Sequence, residues 1–426
     1  MTLRALLLCL LLVPALAFGT PRAVVLEAAT MIENNFYDAT KAGEIAGELR
    51  KEAAAGRFDK LTDPRDLASA LTRRLQPIDH HFNVTWRPPA APERPRSPES
   101  SAPPPDSTDR RTAYGFRSVE MRPGGIGYID LRFFADFNFS KADEPPRQIA
   151  DAALALLSGA EAVILDLRNN GGGAPAMVGY LVSAFTAPDA DIYNVFQSRE
   201  GTESERPGQV YAKPRIDVPL YVLISGRTAS AAESTAYTLK SAGRATILGE
   251  PSAGAANPGG EFPIGEGLNL FVSVATPVNP FTHTNWEGEG VKPHVPVPAE
   301  KALDRAEILA LEAILAKSPE GAGAVETRWI LEARRAQQMP AAGPALTDYV
   351  GEYAGAKLAA GGRDRLLLQR GRRPAVALMR LKADIFFSID EPFRRVQFER
   401  DAGGKVKGFQ FLRANGPAAW FPLLNP

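Results

Sequence analysis

Apolar residues recur every three or four positions over the first part of the chain: Val25, Ala28, Ile32 and Phe36, then Ile45 and Leu49, then Leu67, Leu71 and Leu75. That spacing puts one apolar stripe on each of several helices and predicts a helical domain over 18–87. Thr62-Asp63-Pro64 suits a helix start, with proline in the first turn. Between Pro88 and Pro105 eight of eighteen residues are proline, so 88–111 reads as a stiff, extended linker. From about Thr112 short apolar runs alternate with helical stretches. Ile126 to Phe134, Ala162 to Leu167, Leu220 to Ser225, Ala245 to Leu248 and Leu268 to Ala275 are strand candidates, with helices at Pro175 to Phe185 and Ala229 to Ala242. This βαβ alternation predicts a layered α/β core over 112–317. Ala302 to Ala316 is amphipathic, and Thr327 to Gln338 is a second helix inside a helical connector, 318–344. From 345 to 426 the pattern changes again. Strand-like runs at 365–369, 375–381, 385–389, 395–399 and 408–412 are broken by Gly-Gly and Gly-Lys turns, predicting an antiparallel meander or barrel.

Length and charge narrow the function. The 426 residues allow two to three domains, and 49 Lys plus Arg balance 49 Asp plus Glu. No global basic field exists to hold a phosphate backbone, so nucleic acid is not an expected partner. Hydrophobic residues at 45% and charged residues at 23% fit a soluble globular protein. At the N-terminus Arg4 precedes the apolar stretch Ala5 to Leu16, and Ala15-Leu16-Ala17 offers a cleavage site. Residues 1–17 therefore read as a signal peptide, too short for the ~20 residues that span a bilayer. The mature chain is expected in the periplasm or outside the cell, without a stable membrane span. Cys9, the only cysteine, leaves with the signal, which excludes disulfides, thiol catalysis and cysteine-ligated zinc.

Three segments concentrate candidate chemistry: Asp79-His80-His81-Phe82, Asp166 to Gly173, and Thr228-Ala229-Ser230-Ala231-Ala232-Glu233. Glycines Gly171 to Gly173, between a strand and a helix, let backbone amides face an anion at a helix N-terminus. That is a phosphate site, an oxyanion hole or a tight turn, and no G-x-x-x-x-G-K-[ST] or G-x-G-x-x-G supports a nucleotide. Ser230 has two readings. With Glu233 three residues on it forms a capping box. Alternatively its hydroxyl is a nucleophile, with the Ala231 amide as an oxyanion donor.

The runs V-I-L-D-L-R-N-N-G-G-G, L-I-S-G-R-T-A-S-A-A-E, I-L-G-E-P-S-A-G-A-A-N-P-G-G and N-W-E-G-E-G-V-K-P-H, in that order, resemble the C-terminal processing, or tail-specific, serine peptidases. The likeness is greatest to the branch related to interphotoreceptor retinoid-binding protein and the tricorn core. It covers roughly residues 20–317. It implies a crotonase-like α/β core behind a helical domain, with Ser230 as nucleophile, His81 as general base and Glu287 as the carboxylate orienting it. The amides of Gly172 (or Gly171) and Ala231 become the oxyanion hole. His80 competes with His81, and Glu289 with Glu287. The family's Ser-Lys dyad is excluded, because Ala255 stands where its lysine would be. His80 occupies the place of the serine before the tricorn-like base, and Pro293-His294 replaces the usual Pro-Asp. The tail, opening with Tyr349-Val350-Gly351-Glu352-Tyr353, resembles lipocalin-like β domains attached to bacterial hydrolases.

The resulting expectation is a secreted serine peptidase acting on a peptide or protein substrate, with no metal or organic cofactor required. The alternative is a non-catalytic carrier of apolar ligands such as a retinoid or fatty acid. Oligomeric state is open.

Overall fold

A computed structural model describes residues 20–88, 106–141, 143–339, 342–362 and 364–424. The expected signal peptide and residues 89–105 of the proline-rich stretch lie outside them; Asp106–Arg111 forms a short helix. The chain divides into two compact units, the smaller containing 20–88 together with 196–203 and 257–277.

In the smaller unit the helices Pro21–Asn35, Ala39–Ala54 and Pro64–Leu75 form as their spacing predicts. Thr20, Asp38 and Asp63 accept backbone N–H groups at the three N-termini, and proline fills the first turn after Thr20 and Asp63. Their apolar stripes pack on an antiparallel sheet in the order Asn83–Trp86, Leu268–Ser273, Gly259–Gly265. Leu268, Leu270 and Val272 alternate inward onto Val25, Ile32, Leu49 and Leu71. The strand expected from Leu268 onward thus pairs with Asn83–Trp86, not with the layered core.

The larger unit is built on a six-stranded sheet. Its order is Val295–Pro296, Thr246–Gly249, Leu220–Ile224, Ala162–Asp166, Ile126–Leu131, Phe116–Arg122, all parallel except the last pair. Helices cover both faces, so the inner strands read as continuous apolar runs. Val163, Leu165, Val222 and Ile224 face the helices Pro145–Leu156, Pro175–Ser183 and Ala231–Ser241. Ile164, Tyr221 and Leu223 face Ala302–Lys317 and Ala324–Gln338. The result is mixed α/β in three layers.

The tail of this unit is an eight-stranded antiparallel meander running from Gly351–Tyr353 to Ala419–Pro422 in sequential order. Its first and last strands meet: Ala354 N donates to Pro422 O at 3.0 Å and Leu424 N to Glu352 O at 2.8 Å. The sheet is therefore a nearly closed barrel. Phe386, Phe398, Phe409 and Phe411 are buried within it beside Leu358, Leu366, Leu368 and Leu378. Arg395, on the outer face, lies 4.2 Å over the Trp329 ring and pairs with Glu332 at 2.6 Å, tying barrel to helix. Among the described residues no helix is long and apolar enough to cross a membrane.

Candidate active site

In open α/β sheets ligands bind beyond the carboxyl ends of the strands. Two adjacent parallel strands of the larger unit, Ala162–Asp166 and Leu220–Ile224, end in the two loops that the sequence singles out. Asp166 turns its carboxylate back onto the first of them. It accepts from Arg168 N at 3.1 Å, from the Arg168 guanidinium through Nε at 2.9 Å, and from the Tyr128 hydroxyl at 2.7 Å. The two loops are stitched together where they meet. Thr228 Oγ1 donates to Leu167 O at 2.8 Å, Ser225 Oγ to Arg168 O at 2.6 Å, and Ala229 N to Asn170 O at 3.1 Å.

Ser230 follows, with φ 53° and ψ −121°. A non-glycine residue in this region is strained by about 1–3 kcal/mol and persists only where its surroundings over-determine it. The helix expected from Ala229 starts at Ala231 for this reason. The turn leaves Ser230 exposed among buried neighbours. It has the geometry of a nucleophile elbow, in which a sharp strand-to-helix turn pushes a serine hydroxyl outward.

Glu233 holds the turn. Its side chain is fully buried, and four donors fill its two oxygens: Ser230 N at 2.8 Å, Ala255 N at 2.8 Å, Ser252 Oγ at 2.6 Å and Gly254 N at 2.6 Å. The capping-box reading and the nucleophile reading of Ser230 are therefore compatible. The cap carboxylate fixes the strained backbone, and it binds the loop in which Ala255 stands.

Gly172, at φ 114°, lies against the same turn. A Cβ on it would sit 2.8 Å from Ser230 Cβ and 3.2 Å from Ala231 N, so only glycine fits. The Gly172 amide donates to Asn170 Oδ1 at 2.9 Å. The Ala231 amide, first in its helix, has no intrahelical acceptor. Gly171 is exposed, with open space around its Cα. The structure thus brings Ser230, Ala231 and Gly172 together.

Glu287 also lies in the larger unit, partly buried, and its Oε2 accepts Ala256 N at 2.8 Å. Its rival Glu289 is exposed and paired with Lys292 at 2.6 Å. In the smaller unit His81 is largely covered and His80 is exposed. His81 stacks on Phe271 at a centroid distance of 6.0 Å. Asp79, a residue given no role by the sequence reading, accepts His81 N at 2.8 Å and faces His81 Nδ1 at 3.2 Å, while Asn257 Nδ2 donates to its other oxygen at 3.2 Å. Burial opposes ionisation of Asp79, but the hydrogen bonds of His81 and Ser273 together with the charge of His81 outweigh it and hold the carboxyl below its ordinary range. The only sequence signal for Asp79 was its place two residues before His81.

The larger unit is thus an α/β domain that presents an exposed serine at a strained strand-to-helix turn beside a glycine-rich loop. Residues 125–297 match peptidase family S41, which bears out at family level the resemblance read from the four motifs. The carboxyl-terminal-processing protease of Synechocystis sp. is 32% identical over 166 residues, 38% of this chain and 36% of that protein. Chloroplastic carboxyl-terminal-processing peptidase 2 of Arabidopsis thaliana is 33% identical over 175 residues, 41% of this chain and 32% of that protein. The chain therefore spans about a third of the length of these relatives. Among solved structures, a photosystem II D1 C-terminal processing protease aligns over 66% of this chain and 94% of its own, at 18% identity and a TM-score of 0.43.

Proposed function

We propose that the protein is a secreted or periplasmic serine peptidase with a crotonase-like core and a lipocalin-like C-terminal barrel. Ser230 is the nucleophile, His81 the general base and Glu287 the carboxylate that orients it. Ser230 Oγ attacks the scissile carbonyl while His81 takes its proton and then passes it to the leaving amine. The amides of Ala231 and of Gly172 or Gly171 stabilise the oxyanion. Because the Gly172 amide donates to Asn170 Oδ1, the oxyanion has to share or displace that bond.

The observation that carries this reading is the left-handed backbone at an exposed Ser230, held by Glu233 and faced by Gly172. A helix cap needs no such strain, because a cap residue sits in the β region. Nothing in the barrel favours the carrier alternative, since phenylalanine and leucine side chains occupy its interior.

A fluorophosphonate probe tests the proposal. The intact protein should be labelled at one serine, and Ser230→Ala should abolish labelling and lower peptide hydrolysis by roughly 10³-fold or more, with a melting temperature near that of the wild type. Full hydrolysis by a folded Ser230→Ala protein would remove Ser230 from the mechanism.

A further inference from the structure

Charge is unevenly shared along the chain. Residues 345–426 hold fourteen Lys and Arg against eight Asp and Glu, within a total that balances to zero. Part of the excess is gathered at one end of the barrel. Side chains alternate across a strand, so inward positions fall at every second residue. On Arg365–Arg370 the inward series is Leu366, Leu368, Arg370; on Arg394–Arg400 it is Arg394, Val396, Phe398; on Val406–Arg413 it is Phe409, Phe411, Arg413. Three strands therefore each end an apolar inward row with an arginine at the same rim.

Arg394 stands directly opposite Arg413 in the register, a placement that is unfavourable for like charges. The Arg370 guanidinium lies 4.0 Å over the buried Phe411 ring, which forms a floor beneath it. Arg373, in the turn after Arg370, adds a fourth cation. Burial, then the charges of Arg373, Arg394 and Arg413, push the Arg370 guanidinium below its ordinary pKa, with Glu391 opposing them. Glu391 is already paired with Arg394 at 2.6 Å. Four guanidinium groups thus meet one carboxylate, and three positive charges remain without a partner among those groups.

We propose that this barrel mouth binds a phosphate group. A phosphate dianion offsets two of the three charges and offers oxygens to several guanidinium forks at once, whereas a carboxylate offsets one charge and serves fewer. The mouths of β-barrels are a common place for ligands, and the Phe411 floor seats the Arg370 fork. The phosphate is either free or the headgroup of an anionic lipid.

The test uses the full chain at low salt, where such contacts are least screened. Inorganic phosphate is titrated calorimetrically, and sedimentation is measured with phosphatidylcholine vesicles with and without phosphatidic acid. Wild type should bind saturably, and Arg370→Gln/Arg413→Gln should lose about tenfold or more in affinity, as expected when charged hydrogen bonds are removed. The single change Arg413→Gln, at an exposed side chain, should act in the same direction. Arg365→Gln/Lys405→Gln removes equal charge elsewhere on the barrel and should bind as wild type does. Binding of free phosphate identifies the free ion as a ligand; binding of phosphatidic acid vesicles alone identifies the headgroup. Equal weakening by both double variants, or no saturable binding of either probe, would overturn the proposal.

Discussion

Two buried acids lie at the start of the helix Ala231–Ser241, Glu233 within its first turn and Glu205 beside it, and they meet different donors. Glu233, at its N-terminus, receives four hydrogen bonds, three of them from backbone amides, and sits where the helix dipole favours negative charge. Glu205, beside the next turn, receives the Ser234 hydroxyl and Asn194 Nδ2, the latter at 3.2 Å. Burial there outweighs both bonds and pushes the Glu205 carboxyl up to about 7. Two acids with the same side chain and similar burial thus differ in the number and kind of donors around them. Glu233 binds backbone and fixes a shape. Glu205 binds side chains in a polar network with Asn194, Ser234, Thr238 and Asn279.

Removing Glu233 should have the largest effect. Glu233→Ala leaves three amides and the Ser252 hydroxyl without an acceptor in a buried place, and each such loss costs about 1–3 kcal/mol. The strained turn at Ser230 then loses what over-determines it. The variant should unfold at lower denaturant by roughly 3 kcal/mol or more, and any folded fraction should label poorly with a fluorophosphonate. Glu233→Gln should also be harmed, because an amide NH₂ would face N–H donors. Labelling at the wild-type rate by folded Glu233→Ala would show that the elbow does not depend on this carboxylate.

Asp79 extends the comparison to the smaller unit, since it too accepts a backbone N–H but also faces the His81 ring and the Asn257 amide. Asp79→Asn should slow labelling of Ser230 on the order of 10²-fold, because it weakens a contact that helps to hold the His81 ring. His81→Ala should slow it more, and His80→Ala least. A depressed carboxyl contributes stability that is present above its unfolded pKa and lost as pH falls through its folded value. The acid limb of unfolding below about pH 4 should therefore be shallower in Asp79→Asn. Equal losses from His80→Ala and His81→Ala would reopen which histidine is the base.

How much of this was legible in the sequence follows from how local each feature is. Runs such as Ala162–Asp166 and Leu220–Ile224, buried on both faces, announce themselves as apolar blocks, and the barrel strands announce themselves by alternation and glycine turns. The short strands Val195–Ser198 and Thr202–Ser204 are too exposed to leave an apolar signature. The pairing of Leu268–Ser273 with Asn83–Trp86 joins residues far apart in the chain, and no local pattern encodes it. Ser230 and Glu233 were visible as a capping box, but the positive φ was not, because it is imposed by Glu233, Asn170 and the Ala255 loop together. Asp79 showed only its spacing from His81; its role depends on the turn and on Asn257.

The smallest expected effect concerns Glu205 and has the opposite sign to that of Asp79. A carboxyl whose folded pKa lies near 7, against an unfolded value of about 4.3, favours the folded state when protonated. Its contribution is fully present below the unfolded pKa and fades as pH rises through about 7. Ionising the group inside the network costs up to a few kcal/mol at high pH, at 1.36 kcal/mol per pKa unit. Glu205→Gln keeps the shape and one acceptor but never ionises. It should match the wild type near pH 5 and surpass it by about 1–3 kcal/mol near pH 9, while labelling of Ser230 changes little because Glu205 contacts Ser234 and not the elbow. Thermal melts from pH 5 to 9 read this directly. Parallel pH profiles for the two proteins would mean that Glu205 does not titrate in this range.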